Sequence, residues 1–180
     1  MAQGGSEGQP SGKLSRGFLD SSSHTLDAKN RVFLPKRFQA VLESDPFGNL
    51  GAVVTRGLDG CLFLFSESAF ERAIERLDTK AISGPEARKM QRLFFAHAHR
   101  TQLDGSGRIL IPEKLRSLAG IDREVMMIGV VERAEIWAKD RWEAYEDQHG
   151  ADFDKLDEIL CGPSSGVEAD RNGDGPAATD

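Results

Sequence analysis

The sequence predicts an α+β fold built from two copies of one small β-rich half with flanking helices. Three observations predict it: a ten-residue motif that recurs 77 positions later, short apolar runs of strand length after each copy, and an amphipathic segment closing each half.

The motif comes first. Leu26-Asp27-Ala28-Lys29-Asn30-Arg31-Val32-Phe33-Leu34-Pro35 returns as Leu103-Asp104-Gly105-Ser106-Gly107-Arg108-Ile109-Leu110-Ile111-Pro112, with Leu, Asp, Arg and Pro identical in both. In each copy an Asp and an Arg flank three residues of turn character. Asn30 and Gly107 occupy the same place and both tolerate positive φ, so the chain can reverse there and run into a strand. Asp27 and Asp104 are placed to accept hydrogen bonds from turn amides, which fixes where the arginine points. Alternation along the strand puts Arg31 and Phe33 on one face, Val32 and Leu34 on the other.

Each proline then opens a short helix, because proline suits the first helical position. Phe38, Val41 and Leu42 form its apolar side in the first copy, Leu115, Leu118 and Ala119 in the second. Strand-like runs follow: 52–55 and 61–65 in the first half, 125–128 and 134–137 in the second. Asp59-Gly60 between the first pair is a hairpin signal. A helix closes each half. Ser68 with Glu71 and Asp140 with Glu143 have capping spacing, Phe70, Ala73, Ile74 and Leu77 make the first stripe, and Trp142 and Tyr145 begin the second. Between the halves, the break at Ser83-Gly84-Pro85-Glu86 starts a connecting helix carrying Ala87, Met90, Phe94 and Ala98, up to about His97. A last short helix is expected around Phe153, Leu156, Ile159 and Leu160. The ends, rich in Gly, Ser, Pro and Asp, read as disordered tails. The organisation is therefore a tail at 1–12, a first half at 21–68, linking helices at 69–97, a second half at 98–141, C-terminal helices at 142–161 and an acidic tail at 162–180.

Charge and composition narrow the function. No apolar run of about 18 residues occurs and the N-terminus lacks the apolar stretch of a signal peptide, so a soluble, cytoplasmic protein without membrane contact is expected. Cys61 and Cys161 fit neither a disulfide framework nor a zinc site. The net charge of -6 is unevenly spread: Glu132 to Asp180 holds 14 acids and 5 bases, or -9, leaving 18 bases and 15 acids, or +3, before it. Two basic stretches stand out, Lys13 to Arg37 with six bases against two acids and Arg88 to Arg116 with seven against two. Counting alone reads them as solvated surface.

Catalytic patterns are missing from the sequence. His97 and His99 stand two apart and have no acidic or cysteine ligand spacing, Ser21-Ser22-Ser23-His24 has no nucleophile-elbow context, and no phosphate-cradling glycine loop occurs. Phe63, Phe65, Trp137 and Trp142 follow burial periodicities. Neither an enzyme, a cofactor nor a small-molecule substrate is expected.

One copy of the Asp-x-x-x-Arg turn reads most simply as a turn braced by a structural ion pair. Duplication shifts the balance, because two related arginines on rigid turns place planar, bidentate donors against guanine edges or phosphates at a set separation. Lys29 adds a phosphate-binding charge in the first copy only.

At these residues the chain resembles the MraZ family, regulators made of two tandem SpoVT-AbrB-type halves. Phe18-Leu19, the segment His24 to Pro35, Val53 to Leu62 and Leu103 to Pro112 carry the resemblance in order, over about 130 of the 180 residues. The resemblance implies a swapped-hairpin β-barrel in which the halves interleave as a pseudo-dimer, and ring-like homo-oligomers. It implies binding, at the nucleoid, to double-stranded DNA with short direct repeats ahead of the operon for division and cell-wall genes, including the protein's own gene. It places DNA contacts on Asp27, Lys29, Arg31, Asp104 and Arg108. Asn30 and Asp20 stand where the family has glycine. The other reading is an interaction module of the same fold that has lost DNA affinity, which the acidic balance allows.

Overall fold

The computed structural model describes residues 17–76 and 84–156. The expected tails at 1–12 and 162–180 lie outside the described residues, as do Leu77, Ile159, Leu160 and Cys161. In chain order the described elements are β1 (Ser21–Thr25), β2 (Arg31–Phe33), α1 (Lys36–Gln39), β3 (Glu43–Ser44), β4 (Leu50–Arg56), β5 (Leu62–Phe65) and α2 (Glu67–Arg76). After them come α3 (Pro85–Phe95), β6 (His99–Gln102), β7 (Arg108–Leu110), α4 (Glu113–Ala119), β8 (Glu124–Gly129), β9 (Ala134–Ala138) and α5 (Lys139–His149), then a 3-10 turn at Gly150–Lys155. The described residues up to Ala144 form one compact unit and those from Tyr145 on form a second. In the second, the Tyr145 and His149 rings lie 4.5 Å apart and Lys155 pairs with Asp152 at 2.6 Å.

The α+β class and the two related halves are present, with strands exchanged between them. At the centre of a seven-stranded antiparallel sheet β5 pairs with β9, Leu62 opposite Ile136. From there the order is the same in both directions. β9 carries β8 and then β1, while β5 neighbours β4, which in turn carries β6. Each half's first strand thus lies on the other half: Ser23 sits opposite Met126, and Arg100 opposite Val53.

The implied barrel is not formed. The sheet's path is open, running from β1 to β3, and β2 and β7 make a separate two-stranded sheet. A barrel needs its edge strands to share a ladder. Here β1 pairs only with β8, β3 has just two residues and both are exposed, and β2 and β7 use their ladder on each other.

Burial follows the alternation. Val32, Leu34, Ile109 and Ile111 are completely buried in one cluster with Leu62, Leu64, Met127 and Ile136, and Phe18 meets Phe38 edge-to-face at 5.3 Å. Val53 and Phe65 point to the opposite face, where Phe70 of α2 packs, its ring stacked 5.8 Å from Phe94 of α3. The Asp59-Gly60 hairpin is found, with φ of 53° and 87° at those residues, matching the twist of β4 and β5.

Several local expectations need correction. The connecting helix ends at Phe95, short of His97 and Ala98, and His99 begins strand β6. Ser66, not Ser68, caps α2, its hydroxyl accepting the Ala69 amide at 3.3 Å. Ser68 donates instead to the Glu43 carboxylate. α5 starts at Lys139, which leaves Asp140 inside its first turn. Leu118 of the expected α4 stripe is exposed, the buried side of the helix being Leu115 and Ala119, and the helix ends at Gly120, φ 65°.

Candidate nucleic-acid interface

The two motif copies meet at the β2–β7 ribbon. Arg31 stands opposite Leu110, Val32 opposite Ile109 and Phe33 opposite Arg108. Because side chains alternate, Val32 and Ile109 enter the core while Arg31, Phe33, Arg108 and Leu110 share the outer face. The ribbon is tied to both turns, since the Leu34 amide donates to the Gly107 carbonyl at 2.9 Å and the Ile111 amide to the Asn30 carbonyl at 3.0 Å.

Each turn is closed by its aspartate. Asp27 Oδ1 accepts the amides of Lys29 at 2.8 Å and Arg31 at 3.0 Å, and Asp104 Oδ1 accepts those of Ser106 at 2.9 Å and Arg108 at 3.0 Å. Main-chain bonds complete the match, Asn30 to Asp27 and Gly107 to Asp104. Asn30 has φ 60° and Gly107 φ 75°, the left-handed conformation expected at that position. Glycine at 107 also leaves room for a neighbouring side chain. A Cβ there would stand 2.5 Å from the side-chain nitrogen of Gln39, a buried residue that reaches the Leu34 carbonyl at 2.6 Å. Asp20, the other position where the resemblance has glycine, also lies at positive φ, 82°. Its carboxylate accepts the Ser21 amide and pairs with Arg37.

The second carboxylate oxygens hold the arginines. Arg31 Nε donates to Asp27 Oδ2 at 2.9 Å and its Nη1 to Asp104 Oδ2 at 2.9 Å. Arg108 mirrors this, with Nε to Asp104 Oδ2 at 3.0 Å and Nη1 to Asp27 Oδ2 at 3.2 Å. The result is a crossed quartet of two cations and two anions, formally neutral. Its four side chains remain 27 to 32% exposed, so they form surface and not core. The amide of Arg31 above all, and then the guanidinium and the Lys29 amide, hold the Asp27 carboxyl at about 2 against a partial desolvation that works the other way. Asp104 is lowered first by the Arg108 amide, then by the Ser106 amide and the Arg108 side chain. Both carboxylates are therefore ionised at neutral pH.

All five residues singled out in the sequence are found here. Asp27, Arg31, Asp104 and Arg108 form the quartet; Lys29 sits on the first turn, its side chain exposed and, among the described residues, without a carboxylate partner. Sequence reasoning missed the crossing of the pairs and the role of Gln39. A polar residue next to the apolar stripe of α1 was the only sign of the latter. The quartet keeps N–H donors in hand, because a guanidinium has five and Arg31 spends at most three on carboxylates.

Elsewhere the described residues offer no group of three or more His, Cys, Asp or Glu able to hold a metal ion. His97 Nδ1 lies 2.6 Å from the Leu93 carbonyl. Cys61 is buried and burial, followed by the Glu135 charge, raises its thiol to about 12, so it stays protonated. Among the described residues no helix is long and apolar enough to cross a membrane.

Comparison with known proteins agrees with this layout. The family model of the MraZ protein, described as antitoxin-like, matches twice in tandem, over residues 18–93 and 94–161. The "Transcriptional regulator MraZ" of Lachnoclostridium phytofermentans is 40% identical over 143 residues, covering 79% of this chain and 92% of its own. That of Thermoanaerobacter pseudethanolicus is 40% identical over 137 residues, 76% of this chain and 92% of its own. The protein of the same name from Finegoldia magna is 37% identical over 139 residues, 77% of this chain and 93% of its own. With two tandem matches and relatives aligned over nearly their full length, the chain belongs to the MraZ family of transcriptional regulators.

Proposed function

We propose that this chain is a non-catalytic, sequence-specific DNA-binding transcriptional regulator whose reading element is the β2–β7 ribbon. The observation that carries the reading is the crossed quartet: one outward face holds Arg31 and Arg108, each oriented by both Asp27 and Asp104. A two-stranded ribbon fits the major groove, and arginine is the usual bidentate partner of guanine there. Holding the guanidiniums in one orientation before binding lowers the entropy lost on contact. Lys29, outside the neutral quartet, supplies a charge for phosphate.

The halves at 21–68 and 98–141 act as one pseudo-dimeric reader per chain, joined by residues 69–97. The described residues of a single chain form one such ribbon, so several short direct repeats are bound tightly only by a homo-oligomer, which we take to be ring-like. The repeats lie ahead of the operon for division and cell-wall genes, including the protein's own gene. The protein works in the cytoplasm at the nucleoid, without cofactor or small-molecule substrate.

Footprinting the purified full chain on DNA upstream of its own gene tests this. Protection of evenly spaced repeats, weakening as salt rises, is the expected result. Uniform or absent protection at low salt contradicts it.

A further inference from the structure

The outer face of the ribbon is not wholly polar. Phe33 and Leu110 occupy equivalent places in the two motif copies, and both are exposed, 38% and 43%, although neighbouring apolar residues of the ribbon are sealed in the core. Each sits directly across the ladder from an arginine of the quartet, Phe33 from Arg108 and Leu110 from Arg31. The face is thus a checkerboard of two guanidiniums and two apolar groups about a pseudo-two-fold. His24 of β1 backs Phe33, ring centroids 6.1 Å apart, which limits where the phenyl can turn.

Two large apolar side chains part-exposed to water cost solvation, and the described chain leaves more than a third of each uncovered. The quartet they flank is neutral, and Lys29 beside it adds a positive charge that complements a polyanion. Among groups on a major-groove floor, the one that an apolar side chain can desolvate is the 5-methyl of thymine, and its neighbours there are the guanine acceptors that arginine takes. We infer that Phe33 and Leu110 read thymine methyl groups beside the base pairs contacted by Arg31 and Arg108.

This rests on the ribbon being the DNA reader, and the test separates the two claims. The full chain is used to select from a random duplex library, and the chosen duplex is remade with deoxyuridine for each thymine, which removes only the methyl groups. Affinity should fall about fourfold for each thymine read, the effect of about 0.8 kcal/mol per buried carbon. Phe33→Ala and Leu110→Ala should each lose a similar factor on the thymine duplex and become less sensitive to deoxyuridine, while Phe33→Leu keeps most of the effect. Equal binding of thymine and deoxyuridine duplexes by the parent overturns the inference but leaves the arginine reading standing, provided Arg31→Ala still relaxes preference at the base it reads. Undiminished methyl sensitivity in the Phe33→Ala, Leu110→Ala double variant also overturns it. So does a change of oligomer size in that variant with unchanged sequence preference, which would put a second copy on this face. A parent that selects no sequence at all removes the underlying reading itself.

Discussion

Arg31 reaches the carboxylate of Asp104, 73 residues away, at 2.9 Å, and Arg108 returns the contact to Asp27 at 3.2 Å. Each arginine is consequently held by its own turn and by the other half's turn. Such sharing makes the four residues one unit whose members do not act independently.

Coupling should be visible in stability. Arg31→Ala and Asp104→Asn each remove one partner of the same contact, so the double variant should be less destabilised than the sum of the singles. Denaturant unfolding of the four proteins measures this. Simple additivity would mean that the crossed pairing contributes nothing in solution, as exposed ion pairs often do not.

Acid should loosen the ribbon in a defined window. Asp27 titrates near 2 in the folded chain against 3.8 ordinarily, and Asp104 is shifted the same way. A depressed carboxyl contributes stability that is fully present above its unfolded value and lost as pH falls through its folded one. Unfolding monitored between pH 4 and pH 2 should therefore show a decline that Asp27→Asn and Asp104→Asn flatten. Parallel pH profiles for parent and variants would contradict the assignment.

Backbone crowding predicts a sharp contrast between two glycines. A Cβ on Gly129 would stand 2.4 Å from the Leu19 amide nitrogen and the Phe18 carbonyl carbon, whereas one on Gly105 meets nothing within 4 Å. Gly129→Ala must push the Phe18 segment off β8 and should cost at least about 1–3 kcal/mol. Gly105→Ala should be close to neutral. Equal melting temperatures for the two variants would count against the described packing of Phe18.

Much of this was legible in the sequence, for definite reasons. The 77-residue offset paired Asp27 with Asp104 and Arg31 with Arg108, and period-two alternation sent Val32 and Leu34 inward. Left-handed backbone at Asn30 followed from its alignment with Gly107. Strands β1 and β6 escaped notice because their residues are polar; Thr101 is the only one of Ser21–Thr25 and His99–Gln102 that is buried. Their stability comes from ladders on the opposite half, which no local pattern encodes. The barrel was an import from resemblance, and strand pairing left the sheet open. Crossed ion pairs are likewise invisible locally, since each aspartate already has a partner four residues on.

Lys29 should behave differently from the arginines. If DNA is bound through the ribbon, Lys29→Ala should weaken all sequences alike and reduce the slope of log affinity against log salt by roughly one charge per engaged subunit. An unchanged slope would remove Lys29 from the phosphate contacts. Loss of preference at one base would make it a reader.

The most direct measurement takes Arg31→Ala and Arg108→Ala and determines melting temperature and affinity for the footprinted repeat on the same preparations. Paired readers on a surface quartet predict a retained fold, a loss of about 1–3 kcal/mol of specific binding per contacted subunit, and relaxed preference at the base each reads. A turn braced by ion pairs for stability alone predicts binding reduced only as far as the fall in melting temperature unfolds the chain. Folded variants that bind the repeat as tightly as the parent would contradict the assignment of this ribbon as the reading site.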